Sequence, residues 1–326
     1  MSNDEMPRTE MRKRIDWMDS LRGLAIVFVL IWHAVSIPTV HGYSLPTWIE
    51  SINNSVLPFR MPLLMFLSGT LLARSFGKST KSYYLGKFQR LVWPYLVWSL
   101  IYILQYPDSG SLWDPRAWIA TGHLWFIFFI TFYYLVAPAF RNLPVLVIPA
   151  LSLLVALVLP GGVVQMLFYF AVFFFMGNAV TRHPNIFNRM LKSRLAIGVS
   201  AMVALLLGFM SATYGTEHNA WFAPANLAGI LAIIAGAQKV ENAACQTILR
   251  YIGKHSIYFY FSHFAAMTVA LVALEALGTT AYGVRIPVLL AVGSITGFVL
   301  SGFRDRPPVR WAFSPPRMAA GFNRVR

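Results

Sequence analysis

The stretch "RIDWMDSLRGLAIVFVLIWHAVSIP", residues 14–38, decides the fold, because its long apolar run carries ionisable residues at its start and in its middle. Leu, Ile, Val and Phe would satisfy a lipid bilayer unaided. An ionisable side chain at the bilayer centre costs about 2.5–3.5 kcal/mol even on the most lenient scale. Such side chains usually face the interior of a helix bundle, so Asp19, Arg22 and His33 are the first candidates for a functional role.

The spacing of these residues places them on one helix face. Arg22 and His33 are eleven residues apart, which is about three turns and roughly 16–17 Å of rise. The stripe runs from Asp19 through Arg22, Ile26 and Val29 to His33. Asp19 is too far from His33 to orient it, so we expect it to pair with Arg22. A purely structural role remains open, since polar contacts between transmembrane helices are common.

The composition indicates an integral membrane protein. Of 326 residues, 57% are hydrophobic and only 12% are charged, against about 25% charged in a soluble domain. The single cysteine excludes an intrachain disulfide. We predict an all-α, polytopic membrane protein of about ten transmembrane helices. The predicted spans are 20–40, 55–73, 89–106, 121–138, 144–160, 164–181, 195–213, 222–237, 252–276 and 285–303.

The loop charges set the predicted orientation. With the amino terminus in the cytoplasm, 24 of the 27 Lys and Arg residues lie on the inner side, all except Arg60, Arg116 and Arg285. We therefore expect both termini in the cytoplasm and the protein in the inner (plasma) membrane. This asymmetry also explains the net charge of +15 without a nucleic-acid partner. We divide the chain into a leader (1–18), a membrane domain (19–303) and a basic, Pro-rich tail (304–326).

Two further motifs carry polar residues near predicted span ends. In "FRMPLLMFLSG", residues 59–69, Arg60 lies inside the outer end of span two, and Gly69 is small enough for close helix approach. In "GKFQRLVWPYLVWS", residues 86–99, Lys87 and Arg90 share one helix face at the inner start of span three and are suited to phosphate. Interfacial or positive-inside charge explains either motif equally well.

Histidines recur in the later spans. His123 begins span four in "HLWFIFF", residues 123–129. In "GKHSIYFYFSH", residues 253–263, Lys254 lies at the inner mouth of span nine, and His263 lies about as deep as His33. Nothing in the sequence shows that the three histidines converge, and no acidic ligand accompanies them. We therefore expect no metal site.

In this order, the motifs resemble the integral-membrane acyltransferase family 3, which includes glycan and polysaccharide O-acetyltransferases. The resemblance rests on "DSLRGLAIVFVLIWH", "FRMPLLMFLSG", "KFQRLVWPYLVWS", "HLWFIFF" and "GKHSIYFYFSH" and covers residues 14–303. Its most specific part is the arginine followed eleven residues later by a histidine. The fucose 4-O-acetylase-like subset looks closest.

The resemblance implies that an acyl group, usually acetyl, moves from cytoplasmic acetyl-CoA to a hydroxyl on the far side. His33 would be the catalytic base, with Arg22 and Asp19 beside it. An acetyl-histidine intermediate on His33 is the alternative route, which the sequence does not separate from direct transfer. Lys87 stands where the family often has arginine, which puts the bidentate phosphate geometry there in doubt. The CoA diphosphate would bind Arg22, Lys87, Arg90 and Lys254, and the acceptor would meet Arg60, His123, Trp125 and His263.

The expected partners follow from this reading. They are acyl-CoA, a glycan or lipid-linked sugar and membrane lipids, and a homo-oligomer is compatible with the sequence. An exporter of a sugar or acyl carrier would also bury arginine and histidine at mid-membrane, but we see no repeated halves. A third alternative is a non-catalytic membrane scaffold or sensor. In such a protein the Arg22–His33 stripe would have no role beyond packing.

Overall fold

The computed structural model describes residues 8–107, 110–239 and 245–316, with the side chains of 8–16 and Cys245 left out. Within these ranges the chain is helical and contains no strand. The all-α prediction is therefore confirmed. Parts of the predicted leader and tail, residues 1–7 and 317–326, lie outside the described residues.

The described α-helices are numbered in chain order. They are α1 Arg8–Val40, α2 Thr47–Ser55, α3 Leu57–Gly69, α4 Leu72–Ser75, α5 Thr80–Lys87, α6 Trp93–Gln105, α7 Trp125–Val136, α8 Val147–Val158, α9 Val163–Arg182, α10 Pro184–Lys192, α11 Arg194–Tyr214, α12 Ala223–Lys239, α13 Cys245–Lys254, α14 Ser256–Ala276, α15 Tyr282–Gly302 and α16 Pro307–Phe313. A π-helical turn, Phe88–Val92, joins α5 to α6.

Eight of the ten predicted spans are long and apolar enough to cross a membrane. The two others are not among these eight. In predicted span 89–106 the π-helical turn continues without a break into α6, and span 144–160 forms only the twelve-residue helix α8. At 1.5 Å per residue α8 is about 18 Å long, less than the roughly 30 Å hydrocarbon core. The predicted span 252–276 begins later, because α13 ends at Lys254 and α14 starts at Ser256.

Helix α1 lies at the centre of the bundle and packs against α3, α13, α14 and α15. Its approach to α13 is backbone to backbone: a Cβ on Gly23 would overlap the Leu249 carbonyl oxygen, and one on Gly253 would overlap the Asp19 carbonyl oxygen. Only glycine permits this crossing. It draws α13 against the polar end of α1.

Helices α3 and α9 cross in the same way. A Cβ on Gly69 would overlap the Phe174 carbonyl oxygen, and one on Gly177 would overlap the Phe66 carbonyl oxygen. The close approach predicted for Gly69 is confirmed. The crossing fixes α3, which carries Arg60, against the aromatic core formed largely by α7 and α9.

We call the end of the bundle that carries Arg22 the inner end, following the predicted orientation, and the end that carries Glu217 the outer end. Helix α1 runs from the inner end towards the outer end, and the Gly69 end of α3 lies at the inner end. The two ends hold the two halves of the candidate site.

Gly69→Ala should destabilise the protein by about 1–3 kcal/mol, because the new methyl group meets rigid backbone. Thermal unfolding of the purified protein in detergent measures this as a lower melting temperature. The matched control is Gly198→Ala in α11, where a Cβ meets no atom within 4 Å. The control should leave the melting temperature unchanged or raise it, since alanine favours helix. Equal melting temperatures for the two variants would contradict the crossing.

Candidate active site

Asp19 and Arg22 form an ion pair at the inner end of α1. The Arg22 guanidinium donates to the Asp19 carboxylate, with Nη1 and Oδ1 3.1 Å apart. The side chains are only 19% and 12% exposed. The predicted pairing is confirmed. It leaves the remaining donors of the Arg22 fork for another anion.

Lys87 and Tyr134 lie beside this pair. The Lys87 ammonium lies 3.2 Å from the Tyr134 ring centroid and donates to Ser75 Oγ over 3.2 Å. Tyr134 donates its hydroxyl to the Ser68 carbonyl at 2.7 Å and interacts electrostatically with Arg22. We call Arg22, Lys87 and Tyr134 the inner basic cluster. Tyr134 was not singled out from the sequence.

The charge of Lys87 depends on pH near neutrality. Burial, with smaller contributions from the positive charges of Lys78 and Arg90, lowers the pKa of Lys87 to about 7. Because of this lowered pKa, Lys87, which lies outside the eight spans, is mostly charged below pH 7 and mostly neutral above it. A bound anion would stabilise the charged form.

Arg90 and Lys254 are more peripheral. Arg90 lies in the π-helical turn, and Lys254 is the last residue of α13; both are exposed. Arg90 is near enough to Lys87 to affect its pKa. Gly253, next to Lys254, packs on the Asp19 backbone. Both predicted cations therefore lie at the inner end, at the rim of the inner basic cluster.

The stripe on α1 continues through the core to His33. Ile26 and Val29 are each 2% exposed. His33 Nδ1 lies 2.9 Å from the Val29 carbonyl oxygen. From Asp19 to His33, the predicted face of α1 is thus turned into the bundle.

His33 and His263 share a hydrogen bond that fixes both tautomers. His263 Nε2 lies 3.1 Å from His33 Nδ1, and His263 Nδ1 lies 2.9 Å from the Phe259 carbonyl oxygen. A carbonyl oxygen can only accept, so both neutral rings carry their proton on Nδ1. The Nδ1 proton of His33 is then shared between the Val29 carbonyl and His263 Nε2. Within the described ranges no residue bonds to His33 Nε2, which keeps a free lone pair.

His123 completes a cluster with His33 and His263. Its ring stacks on Phe264 with centroids 4.6 Å apart, and its centroid is 5.4 Å from that of His263 and 6.1 Å from that of His33. Tyr260 donates its hydroxyl to the His123 carbonyl oxygen. The structure therefore brings together three histidines that the sequence left unplaced. Among the described residues no group of three or more His, Cys, Asp and Glu side chains is arranged to hold a metal.

A pocket opens beside His33 towards the outer end. Its volume is about 90 Å³. Four of the predicted site residues line it, together with residues from α1, α3, α9 and the 217–218 loop. The predicted ones are His33, Arg60, His123 and Trp125; others include Trp32, Tyr169, Glu217, His218 and Tyr260. The buried residue His263 is not among the lining residues.

His218 is held in an uncommon backbone conformation in the pocket wall. Its φ is +56°, which a non-glycine residue adopts rarely and mostly where the surroundings impose it. Gln165 donates to its carbonyl oxygen over 3.0 Å, and Glu217 Oε1 lies 3.7 Å from its Nε2. Burial and the charge of Arg60 lower the pKa of His218, while Glu217 opposes this.

The pocket and the inner basic cluster are two separate parts of the site. On α1 the pocket is lined by Val29, Trp32 and His33, and Arg22 is not part of its lining. Buried apolar side chains such as Ile26 lie between them. His33 is thus reached from the outer end, and its own helix leads back to Arg22 at the inner end.

Residues 15–303 match the model of acyltransferase family 3, described as an acyltransferase domain. The chain belongs to this family. The match covers the two halves of the site and confirms the family predicted from the motifs. Neither the curated proteins nor the solved structures contain a match. The fucose 4-O-acetylase-like subset stays a prediction.

Sequence reasoning missed several residues of the candidate site. Trp32 and Tyr169 read as ordinary apolar residues of spans, and His218 stands in a loop with no motif around it. Glu217 stands in the same loop, also without a motif around it. The available signal was Arg60 itself, because a buried arginine needs a partner. The structure shows that this partner is the Trp32 ring, whose centroid lies 4.4 Å from the guanidinium carbon.

The tautomer of His33 can be tested directly. In the wild-type acyltransferase, ¹⁵N shifts of labelled imidazoles should show His33 protonated on Nδ1. His263→Phe removes the His263 Nε2 acceptor and leaves only the Val29 carbonyl to accept from His33 Nδ1. The fraction of His33 that is protonated on Nδ1 should therefore fall. His41, which lies outside the histidine cluster and lacks the carbonyl bond seen for His33, is the internal control. A wild-type His33 protonated on Nε2 would contradict the network.

Proposed function

We propose that this membrane acyltransferase moves an acetyl group from cytoplasmic acetyl-CoA to a hydroxyl of an extracytoplasmic glycan or lipid-linked sugar. The observation that carries the proposal is the free Nε2 of His33 at the pocket, on the same helix as the inner basic cluster. The orientation rests on the loop charges, which favour cytoplasmic termini in the inner (plasma) membrane.

The donor half is supported by charge and by length. The CoA diphosphate is an anion, and Arg22 and Lys87 are partly buried cations. Their N–H groups would donate charge-assisted hydrogen bonds to the phosphate oxygens. Arg90 and Lys254 would add charge at the rim. The rise of α1 from Arg22 to His33 is about 16–17 Å. An extended pantetheine arm is suited to that reach. It would have to pass between the buried apolar side chains such as Ile26 to bring the thioester beside His33.

The chemistry follows from the tautomer of His33. Its Nε2 accepts the proton of the acceptor hydroxyl while that oxygen attacks the thioester carbonyl carbon. The carbon–sulfur bond breaks, and the imidazolium returns the proton to the leaving thiolate. The products are an ester and free CoA. General-base catalysis of this kind contributes about 10²–10⁴-fold in rate.

His263 fits a positioning role better than the predicted substrate contact. Both of its ring nitrogens are engaged, with Phe259 and with His33, and it is fully buried. It accepts from His33 Nδ1 and so keeps the basic nitrogen on the pocket side. When His33 is protonated, His263 Nε2 still accepts from it. His123 and Trp125 line the pocket and are left to contact the acceptor or the acyl group.

His33→Ala should abolish transfer of labelled acetyl groups, a loss of about 10²-fold or more, while CoA affinity stays within about twofold of wild type. Membranes and purified protein supply the two measurements: transfer from labelled acetyl-CoA, and calorimetric binding of CoA. His183→Ala is the matched control, because His183 is exposed and lies away from the pocket. Full transfer by His33→Ala would remove this residue from the mechanism.

CoA binding should weaken as pH rises through about 7, because Lys87 loses its charge there. The sign follows from the lowered pKa: the lysine is cationic below it and neutral above it. Calorimetric titrations with CoA between pH 6 and pH 8.5 measure the trend. In Lys87→Arg the charge persists over this range, so the dependence on pH should flatten.

Lys81→Arg provides the control for that comparison, since Lys81 is exposed at the start of α5. It should keep the pH dependence of the wild type. A wild-type CoA affinity that is constant over the range would contradict the assignment of Lys87 to the donor site.

A further inference from the structure

Arg60 is a buried cation that the proposed reaction does not use. It is the fourth residue of α3 and is only 5% exposed. Its Nε and Nη1 atoms are buried, and neither has a hydrogen-bond partner among the described residues. A buried charge without a partner is costly. Its presence beside the catalytic histidine therefore requires an explanation.

The protein itself supplies only part of a binding partner. The guanidinium lies over the Trp32 ring, 4.4 Å from its centroid, and this cation–π contact fixes its position without satisfying its N–H groups. Glu217 also lines the pocket and interacts with Arg60 electrostatically. The Glu217 side chain is 46% exposed and lies 3.7 Å from His218 Nε2. Two donors of Arg60 thus remain for a ligand.

Arg60 and His33 line the same pocket, one on α3 and one on α1. A molecule that presents a hydroxyl to His33 Nε2 therefore also meets the guanidinium. Arginine is suited to planar or tetrahedral oxyanions, since its fork matches two oxygens of a carboxylate or phosphate. A neutral sugar would not bring an oxyanion to the unpaired Nε and Nη1 donors of this buried guanidinium.

We propose that Arg60 selects an acyl acceptor bearing an oxyanion, a carboxylate or phosphate group on or next to the sugar that is modified. The inference rests on the proposed function in taking the pocket ligand to be the acyl acceptor. Arg60 is then a specificity residue that binds the anion through its free donors, while His33 receives the hydroxyl proton. The neutral part of the sugar contacts the aromatic wall, including Trp125 and Tyr169.

The test is binding to the full-length protein in detergent, without an acyl donor. The probes are methyl galactoside, its 6-phosphate, and methyl galacturonide, which differ only at the sixth carbon. We expect the wild type to bind at least one anionic probe about tenfold or more tightly than the neutral one. Raised salt should reduce that preference. The phosphate and carboxylate arms distinguish the two sources of the anion.

Arg60→Gln should remove the preference, and Arg60→Lys should keep part of it, because lysine retains the charge and loses the fork. The matched control is Arg116→Gln, since Arg116 is exposed in the predicted outer loop and does not line the pocket. Equal binding of all three probes by the wild type would overturn the inference, and that measurement does not depend on whether the variants fold. A preference that survives Arg60→Gln in folded protein would overturn it as well.

A parallel transfer assay separates this inference from the proposed function. With labelled acetyl-CoA, Arg60→Gln should lose transfer to an anionic acceptor at least tenfold more than transfer to the neutral one. If Arg60 instead stabilised the charge developing on the thioester carbonyl, both acceptors would lose equally, and the inference would be overturned. Failure of the wild type to transfer to any acceptor, despite selective anion binding, would overturn the proposed function.

Discussion

The constraint on which the structure depends is the cost of holding polar groups within the membrane. Arg22 and His33 are tolerable on an apolar helix only if their face is turned into the bundle. Helix α1 therefore lies at the centre, with α3, α13, α14 and α15 around it. Glycine contacts such as that between Gly23 and the Leu249 backbone bring a neighbouring helix into backbone contact with α1.

The same constraint fixes the tautomer of the histidine. Buried polar atoms need partners, and the carbonyl groups of Val29 and Phe259 provide them for one nitrogen of each ring. Because carbonyl groups only accept, the protons are fixed on Nδ1, and His33 presents its basic nitrogen to the pocket. In the proposed reaction, a base oriented in this way would lose little freedom when the acceptor binds. His263 contributes by holding the first ring.

The cations in the two halves of the site differ in whether they have partners within the protein. At the inner end, Arg22 has Asp19 as a partner, and Lys87 lies against the Tyr134 ring with a pKa near neutrality. At the outer end, Arg60 keeps two buried donors without a protein partner. Under the proposed function, a cluster that binds and releases CoA would benefit from compensated charge. These unpaired donors are the basis of the proposal that Arg60 binds a ligand of opposite charge.

The sequence by itself determined the membrane class, eight of the ten spans and the inward stripe on α1, because hydropathy and helical period act locally. The Asp19–Arg22 pair and the close approach at Gly69 were predictable for the same reason. Only the tertiary structure decided that His263, 230 residues beyond His33, fixes its tautomer. The packing of helices distant in sequence has no signal within either helix. For that reason the sequence identified the individual ionisable residues as candidates, but it did not predict that the three histidines lie together.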